Sequence, residues 1–261
     1  INAPVEQFRT LRDNNYQAFD KDLWQEIVEM GWTALIIPEE YNGLDFGYVG
    51  LGQVMEEMGK NLTKAPLFSS IALAGTALVN STNHALKADW ISALMNGTKR
   101  LAFAQDEHSY FDPSAIATTA TKKNNGYLLN GSKKMVIDGA GADGFIVVAQ
   151  TEERESALFL VDAKSDGLTI TTEVLLDAGT YAQIEFTDVA IEANQRLSEI
   201  GCGEELLKKI NNTAAICLSA EMLGIISAAY GQTIAYLQER QQFGKRIGSY
   251  QALQHRAAKM F

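Results

Sequence analysis

Arg240, Gln242, Phe243, Lys245, Arg246 and Gln251 fall in one short stretch, RQQFGKRIGSYQ. An arginine guanidinium is a planar fork of donors that matches the oxygens of a phosphate or pyrophosphate, and a lysine adds a point charge. Phe243 offers an apolar face to a flat ring, and Gln251 can both donate and accept. These residue types suit an anion joined to a heterocycle. Metal chemistry has no comparable support: His84, His108 and His255 are scattered, and Cys202 and Cys217 make neither a disulfide framework nor a metal-ligand spacing.

Two helices must position this stretch. Apolar residues at Leu206, Leu207, Ile210, Ala214, Cys217, Leu218 and Met222 predict a long helix from Glu204 into Arg240, with Gly244 as its stop. Ser249 is placed to cap a second helix that opens at Tyr250 and Gln251 and runs to Phe261. Gly224 and Gly231 each cost such a helix about 1 kcal/mol relative to Ala, which a close helix–helix contact would explain.

Upstream, the period is helical from Asp20 to about Gly97. Asp20 opens an apolar face of Leu23, Ile27, Val28 and Met30 that Gly31 stops; further helices are expected near residues 48–59, 66–80 and 85–96. From Leu101 to about Val189 the period changes to two. Candidate strands are 101–105, 115–121, 127–129, 133–137, 145–149, 158–161, 168–172 and 183–186, with Asn125-Gly126 and Asn130-Gly131 as hairpin turns. The fold class expected is α+β: a helical domain over 1–98, an antiparallel β-barrel or sandwich over 99–196, and the start of a helical bundle over 197–261. Gly139, Gly141 and Gly144 match GxGxxG, but a strand, FIVVAQ, follows where a dinucleotide fingerprint needs a helix N-terminus. The match reads as a flexible hairpin loop.

Net charge is −10 over 261 residues, which argues against a nucleic-acid partner and gives no reason to expect an anionic membrane surface. No uninterrupted apolar run approaches spanning length, so no membrane span is expected. Unpaired cysteines suit a reducing, cytoplasmic setting. The chain opens at Ile1 without Met and closes inside a helical pattern, as a fragment of a longer protein would.

Three segments resemble the acyl-CoA dehydrogenase family. RQQFGKRIGSYQALQ resembles its C-terminal R-x-x-F-G-x-x-I-x-x-Y/F-Q motif, GWTALIIPEEYNGLDFG its N-terminal G-W-x-x-L-x-x-P-E-E-Y-G-G segment, and EFTDVAIEANQRL its exit from the middle domain. The resemblance covers nearly the whole chain and implies the family's helical, β, helical architecture without the last helices of its bundle. It implies FAD as cofactor, an acyl-CoA substrate desaturated between the α and β carbons, electron-transferring flavoprotein as electron acceptor, and a homo- or hetero-oligomer, dimer or tetramer. Arg240, Gln242, Phe243 and Gln251 would then hold the adenosine and pyrophosphate of the FAD bound mainly by a neighbouring subunit.

The middle segments depart from the family pattern. Y/F-A-L-T-E-P-x-x-G-S-D becomes FAQDEHSYFDP, Phe103 to Pro113. Phe103 and Gln105 fall in this flavin-pocket segment, the flavin-contacting Thr falls on Asp106, and the pyrophosphate-donating Ser falls on Asp112, an anion where a donor belongs. N-G-x-K-x-W-I-T-N becomes NGSKKMVID, so the flavin-packing Trp falls on Met135 and the hydrogen-bonding Thr on Ile137. The catalytic carboxylate of most members would lie beyond Phe261; in a minority it falls on Ala214, and its neighbouring Arg falls on Ala215. Glu221, roughly 10 Å further along the helix, reads as a packing or interface carboxylate. The leading expectation is therefore a heteromer subunit with a degenerate flavin pocket that completes a partner's FAD site, as in some members acting on bulky CoA thioesters such as steroid side chains. The alternatives are a homomeric enzyme with a divergent pocket and its base beyond residue 261, and a non-catalytic acyl-CoA-binding or scaffold protein.

Overall fold

The computed structural model describes residues 9, 10, 13, 18–175 and 179–261. Helix α1, Lys21–Glu29, begins where the Asp20 carboxylate accepts from the backbone N–H of Asp22 and Leu23, and it buries Leu23, Trp24 and Ile27. Gly31, at φ 74°, ends it. Helix α2, Gly47–Asn61, follows two 3-10 turns. The next helix, α3, is π-wound over Phe68–Gly75 and α-helical over Thr76–Val79. Its wide turns lie against the sheet, where Ser70 Oγ donates to the Leu101 carbonyl and Ser69 Oγ to the Asp138 carboxylate. Helix α4, His84–Met95, is capped by Asn83.

The middle region is a curled sheet of seven strands: β1 Leu101–Ala104, β2 Thr119–Lys123, β3 Gly126–Ile137, β4 Gly144–Thr151, β5 Ser156–Asp162, β6 Leu168–Val174 and β7 Thr180–Glu192. The order is β1-β4-β2-β3-β7-β6, with β5 also on β4. Both β1 and β2 pair with β4 in parallel, so the sheet is mixed, not antiparallel throughout as expected. Turn residues reveal hairpins; they carry no signal for strands joined by a crossover. Two other turn expectations also fail. The 139–144 glycines form no hairpin loop: a 3-10 turn, Gly139–Gly141, leads from β3 to β4, which are not neighbours. Asn130-Gly131 is no turn either. Gly131, at φ 140°, lies inside β3 at a register shift, and a Cβ there would sit 2.7 Å from Thr118 Cα.

Alternation along β1, β4 and β5 feeds two cores. Leu101, Phe103, Ile146, Val148, Leu158 and Leu160 join the helices, while Ala102, Phe145, Val147, Phe159 and Val161 pack with β3 and β7. These strands are buried on both faces, which is why FIVVA reads as a continuous apolar run.

Helix α5, Gly203–Glu239, crosses α2 at glycine contacts. A Cβ on Gly224 would lie 1.9 Å from the Glu56 carbonyl oxygen, and one on Gly59 would lie 2.0 Å from that of Glu221. Gly231 has nothing within 4 Å of an added Cβ, so the close-contact reading fits Gly224 and not Gly231. Contrary to the reading from uninterrupted runs, α5 is long and apolar enough to cross a membrane by length and composition, the one such helix among the described residues. Helix α6, Gln251–Met260, closes the described chain.

Candidate functional site: an exposed cationic hairpin and a remodelled flavin segment

The helix does not run to Gly244. It ends at Glu239, and a tight hairpin follows: β8, Gln241–Gln242, pairs antiparallel with β9, Lys245–Arg246. Phe243 at φ 54° and Gly244 at φ 78° make the two-residue turn, the doubly left-handed geometry that matches strand twist. The Ile247 N–H donates to the Arg240 carbonyl, 2.9 Å, closing the hairpin's base. Gly248 lets the next turn lie on α5, since a Cβ there would be 2.6 Å from the Leu237 carbonyl oxygen. Ser249 is not the helix cap. Its Oγ donates back to the Arg246 carbonyl, 2.8 Å, and Tyr250 occupies the N-cap position without a side-chain bond.

The hairpin therefore brings Arg240, Gln242, Phe243 and Arg246 onto one projecting element, with Gln251 at the opening of α6. All five are exposed, Phe243 by 91%. Neither Arg240 nor Arg246 forms an ion pair with a described carboxylate. Lys245 differs: its Nζ lies 4.2 Å from the centroid of the Tyr250 ring, which also meets Phe243 edge-on at 6.5 Å. The spacing of Lys245 among the other cations carries no signal of this pairing, which the hairpin geometry alone creates.

The second cluster lies where the chain leaves β1. Phe103 is buried in the helical core. Beyond it, Lys133 and Glu107 form an ion pair of 2.7 Å, with the Lys133 side chain fully buried and that of Glu107 9% exposed. Lys133 Nζ also donates to the Gln105 carbonyl, 2.9 Å, and Glu107 accepts from the backbone N–H of Ala117 and Thr118. Burial pushes the Glu107 carboxyl up, but the bonds from Lys133 and Thr118 outweigh it and hold it below the ordinary carboxylate range. Burial pulls the Lys133 ammonium down, only partly offset by Glu107. This pair was not expected. Its signals were a lysine inside the β3 pattern and the family-motif positions that Glu107 and Lys133 both retain.

Around the pair, polar groups are left over. Gln105 Nε2 and Asp106 Oδ1 are buried with no hydrogen-bond partner. Burial raises the Asp106 carboxyl, with Lys133 opposing. Met135 is half-buried at φ 52°, beside the second register shift of β3, and Ile137 ends that strand half-buried. Asp112 accepts from the N–H and Oγ of Ser114, which hold its carboxyl below the usual range. On α5, Ala214 packs partly buried on the helical core, and burial raises the nearby Glu221 carboxyl, with Lys64 opposing. Phe261 is 97% exposed. Among the described residues no cluster of His, Cys, Asp and Glu could hold a metal ion.

Three family models cover the chain in succession: the acyl-CoA dehydrogenase N-terminal domain over residues 4–98, middle domain over 101–189 and C-terminal domain over 202–261. The chain belongs to the acyl-CoA dehydrogenase family. Benzylmalonyl-CoA dehydrogenase of Aromatoleum aromaticum is 30% identical over 256 residues, 94% of this chain and 67% of that protein. Acyl-CoA dehydrogenase FadE27 of Mycobacterium tuberculosis is 28% identical over 246 residues, 94% of this chain and 64% of that protein. The ChsE4-ChsE5 complex from Mycobacterium tuberculosis superposes with a TM-score of 0.88 at 27% identity, covering 97% of this chain and 67% of that one. The chain thus spans about two thirds of the relatives it matches.

Acyl-CoA dehydrogenases are FAD flavoproteins, and the two clusters fit that cofactor unequally. The hairpin offers unpaired guanidinium groups and a bare aromatic face, the donor set a pyrophosphate and a ring require. The β1 exit segment offers the Gln105 amide and Asp106, with Asp112 adding a negative charge, and β3 offers Met135 and Ile137, which have no side-chain donor. What this second cluster retains is a buried ion pair with the unpartnered Gln105 Nε2 and Asp106 Oδ1 beside it.

Proposed function

We propose that this chain is a subunit of a heteromeric acyl-CoA dehydrogenase whose hairpin, through Arg240, Gln242, Phe243 and Gln251, completes the FAD site of a partner subunit. The parts are read as 1–98, 99–196 and 197–261. The observation that carries the proposal is the contrast between an exposed hairpin whose arginines pair with no described carboxylate and motif positions that carry Asp106, Asp112, Met135 and Ile137 in place of donors and a Trp. Similarity to a chain of the ChsE4-ChsE5 complex supports it.

The reaction of the assembled enzyme is α,β-desaturation of an acyl-CoA thioester, with electron-transferring flavoprotein reoxidising the cofactor. FAD, when bound, supplies the hydride acceptor. Arg240 and Arg246 would neutralise its pyrophosphate, Phe243 would offer an apolar face, and Gln242 and Gln251 would offer amide groups. Position 214 carries Ala, so the proton-abstracting carboxylate is assigned to the partner or to residues beyond 261. Helix α5 is read as a bundle helix, not a span, and the setting as cytoplasmic.

The experiment is a visible absorption spectrum of the full-length protein, alone and co-expressed with a family member that has an intact flavin segment. Colourless protein alone, and a yellow complex that loses flavin on Arg240→Ala, is the expected result. About one FAD per chain in the protein alone, or unchanged flavin content in Arg240→Ala, overturns it.

A second reading, a homomeric enzyme with a divergent pocket, is favoured by Gln105 Nε2 and Asp106 Oδ1. An unpartnered donor and an unpartnered acceptor on successive residues suit the carbonyl and N–H edge of a flavin pyrimidine. Flavin in the protein alone selects this reading.

A further inference from the structure

The cations of the hairpin are not equivalent. Arg240 and Arg246 are exposed and unpaired with any described carboxylate, whereas Lys245 Nζ stands 4.2 Å from the centroid of the Tyr250 ring. The same ring receives Phe243 edge-on, 6.5 Å between centroids at 85°. Tyr250 therefore joins both sides of the hairpin turn to the start of α6. The hairpin needs such a tie: each strand has two residues, and an isolated two-stranded hairpin is marginal in water. Its turn also holds a bulky aromatic, Phe243, at φ 54°, a region side chains rarely occupy unless their surroundings impose it.

We infer that Lys245 is a positioning residue, acting through the Tyr250 ring to fix the Phe243 turn, and that the charge facing a partner's pyrophosphate comes from Arg240 and Arg246. This rests on the shared-site reading above. It divides labour within a cluster whose sequence alone suggests interchangeable phosphate ligands. A cation over an aromatic face at an exposed site changes a population by a modest factor, so the effect is graded, not all-or-none.

The test uses the full-length co-expressed complex and reads FAD affinity by flavin titration. Lys245→Met and Tyr250→Leu are each expected to weaken FAD binding about two- to fivefold. The double variant should be no weaker than either single one, and Lys245→Arg and Tyr250→Phe should stay near the parent. Multiplying effects in the double variant, or no effect of Lys245→Met, overturns the inference, because Lys245 then acts independently of the ring or not at all. If Tyr250→Leu does not assemble, the salt dependence of FAD affinity decides. Lys245→Met should leave it unchanged, whereas a shallower dependence marks a lost phosphate contact and overturns the inference. Arg240→Ala is the control: if it leaves FAD affinity intact, the shared site itself fails, independently of Lys245.

Discussion

At Asp106, burial and chemistry pull in opposite directions. Its Oδ1 is enclosed without a donor, and burial raises its pKa above the ordinary 3.8. A carboxyl whose folded pKa is raised contributes stability that is fully present below the unfolded pKa and is lost as pH rises through the folded value. Asp106→Asn should accordingly melt higher than the parent at pH 7, with the gap closing as pH falls below about 4. A gap independent of pH would show that Asp106 is not penalised by ionisation. Lys133 is the opposite case. Replacing it with Met leaves Glu107 buried without its cation, and breaking a buried pair in this way costs about 3–5 kcal/mol. Urea unfolding should show that loss, and a change under 1 kcal/mol would mean that water reaches the pair. The altered identities at Asp106, Asp112, Met135 and Ile137 were legible because motif offsets are fixed along the chain. The Lys133–Glu107 pair was not, because its members lie 26 residues apart and only strand packing closes the gap.

At the level of elements, two glycines of one helix do different work. Gly224 sits where α5 meets the α2 backbone, so Gly224→Ala must push the helices apart or bend them, at a cost of about 1–3 kcal/mol. Gly231 faces open space, and Gly231→Ala should leave the chain's own stability unchanged or raise it by up to about 1 kcal/mol. Thermal melts should fall for Gly224→Ala and not for Gly231→Ala; an equal fall in both would overturn the assignment of Gly224 to the crossing. The helical period announced α5 and its approximate length. It placed the stop wrongly, because Gly244 belongs to a hairpin turn and not to a helix C-terminus. A glycine at positive φ serves both, and the choice is made by the Gln241–Arg246 and Gln242–Lys245 pairings that follow.

For the whole molecule, α5 is buried mainly along the stripe of Leu206, Leu207, Ile210, Thr213, Cys217 and Gly224. Ile216, Met222, Leu223 and Ile226 on its flanks are each more than half exposed. These flanks and the exposed hairpin leave apolar and cationic side chains of the described residues uncovered. The prediction at this scale is stoichiometric. On the shared-site proposal, the co-expressed complex should carry flavin for half its chains, measured by absorbance against protein mass; a full complement would assign each subunit its own cofactor.

The sequence by itself determined the order of helical, strand and helical blocks, the Asp20 cap, the two-residue period of the sheet and the acyl-CoA dehydrogenase motifs. Each is written in residues a few positions apart, where periodicity, capping and fixed offsets operate. Only the tertiary structure decided the parallel pairing of β1 and β2 with β4, the bulge at Gly131, the buried Lys133–Glu107 pair and the seat of Lys245 on Tyr250. These depend on which distant segments exclude water from one another. Burial is what makes an ion pair costly to break and a lone carboxylate costly to ionise.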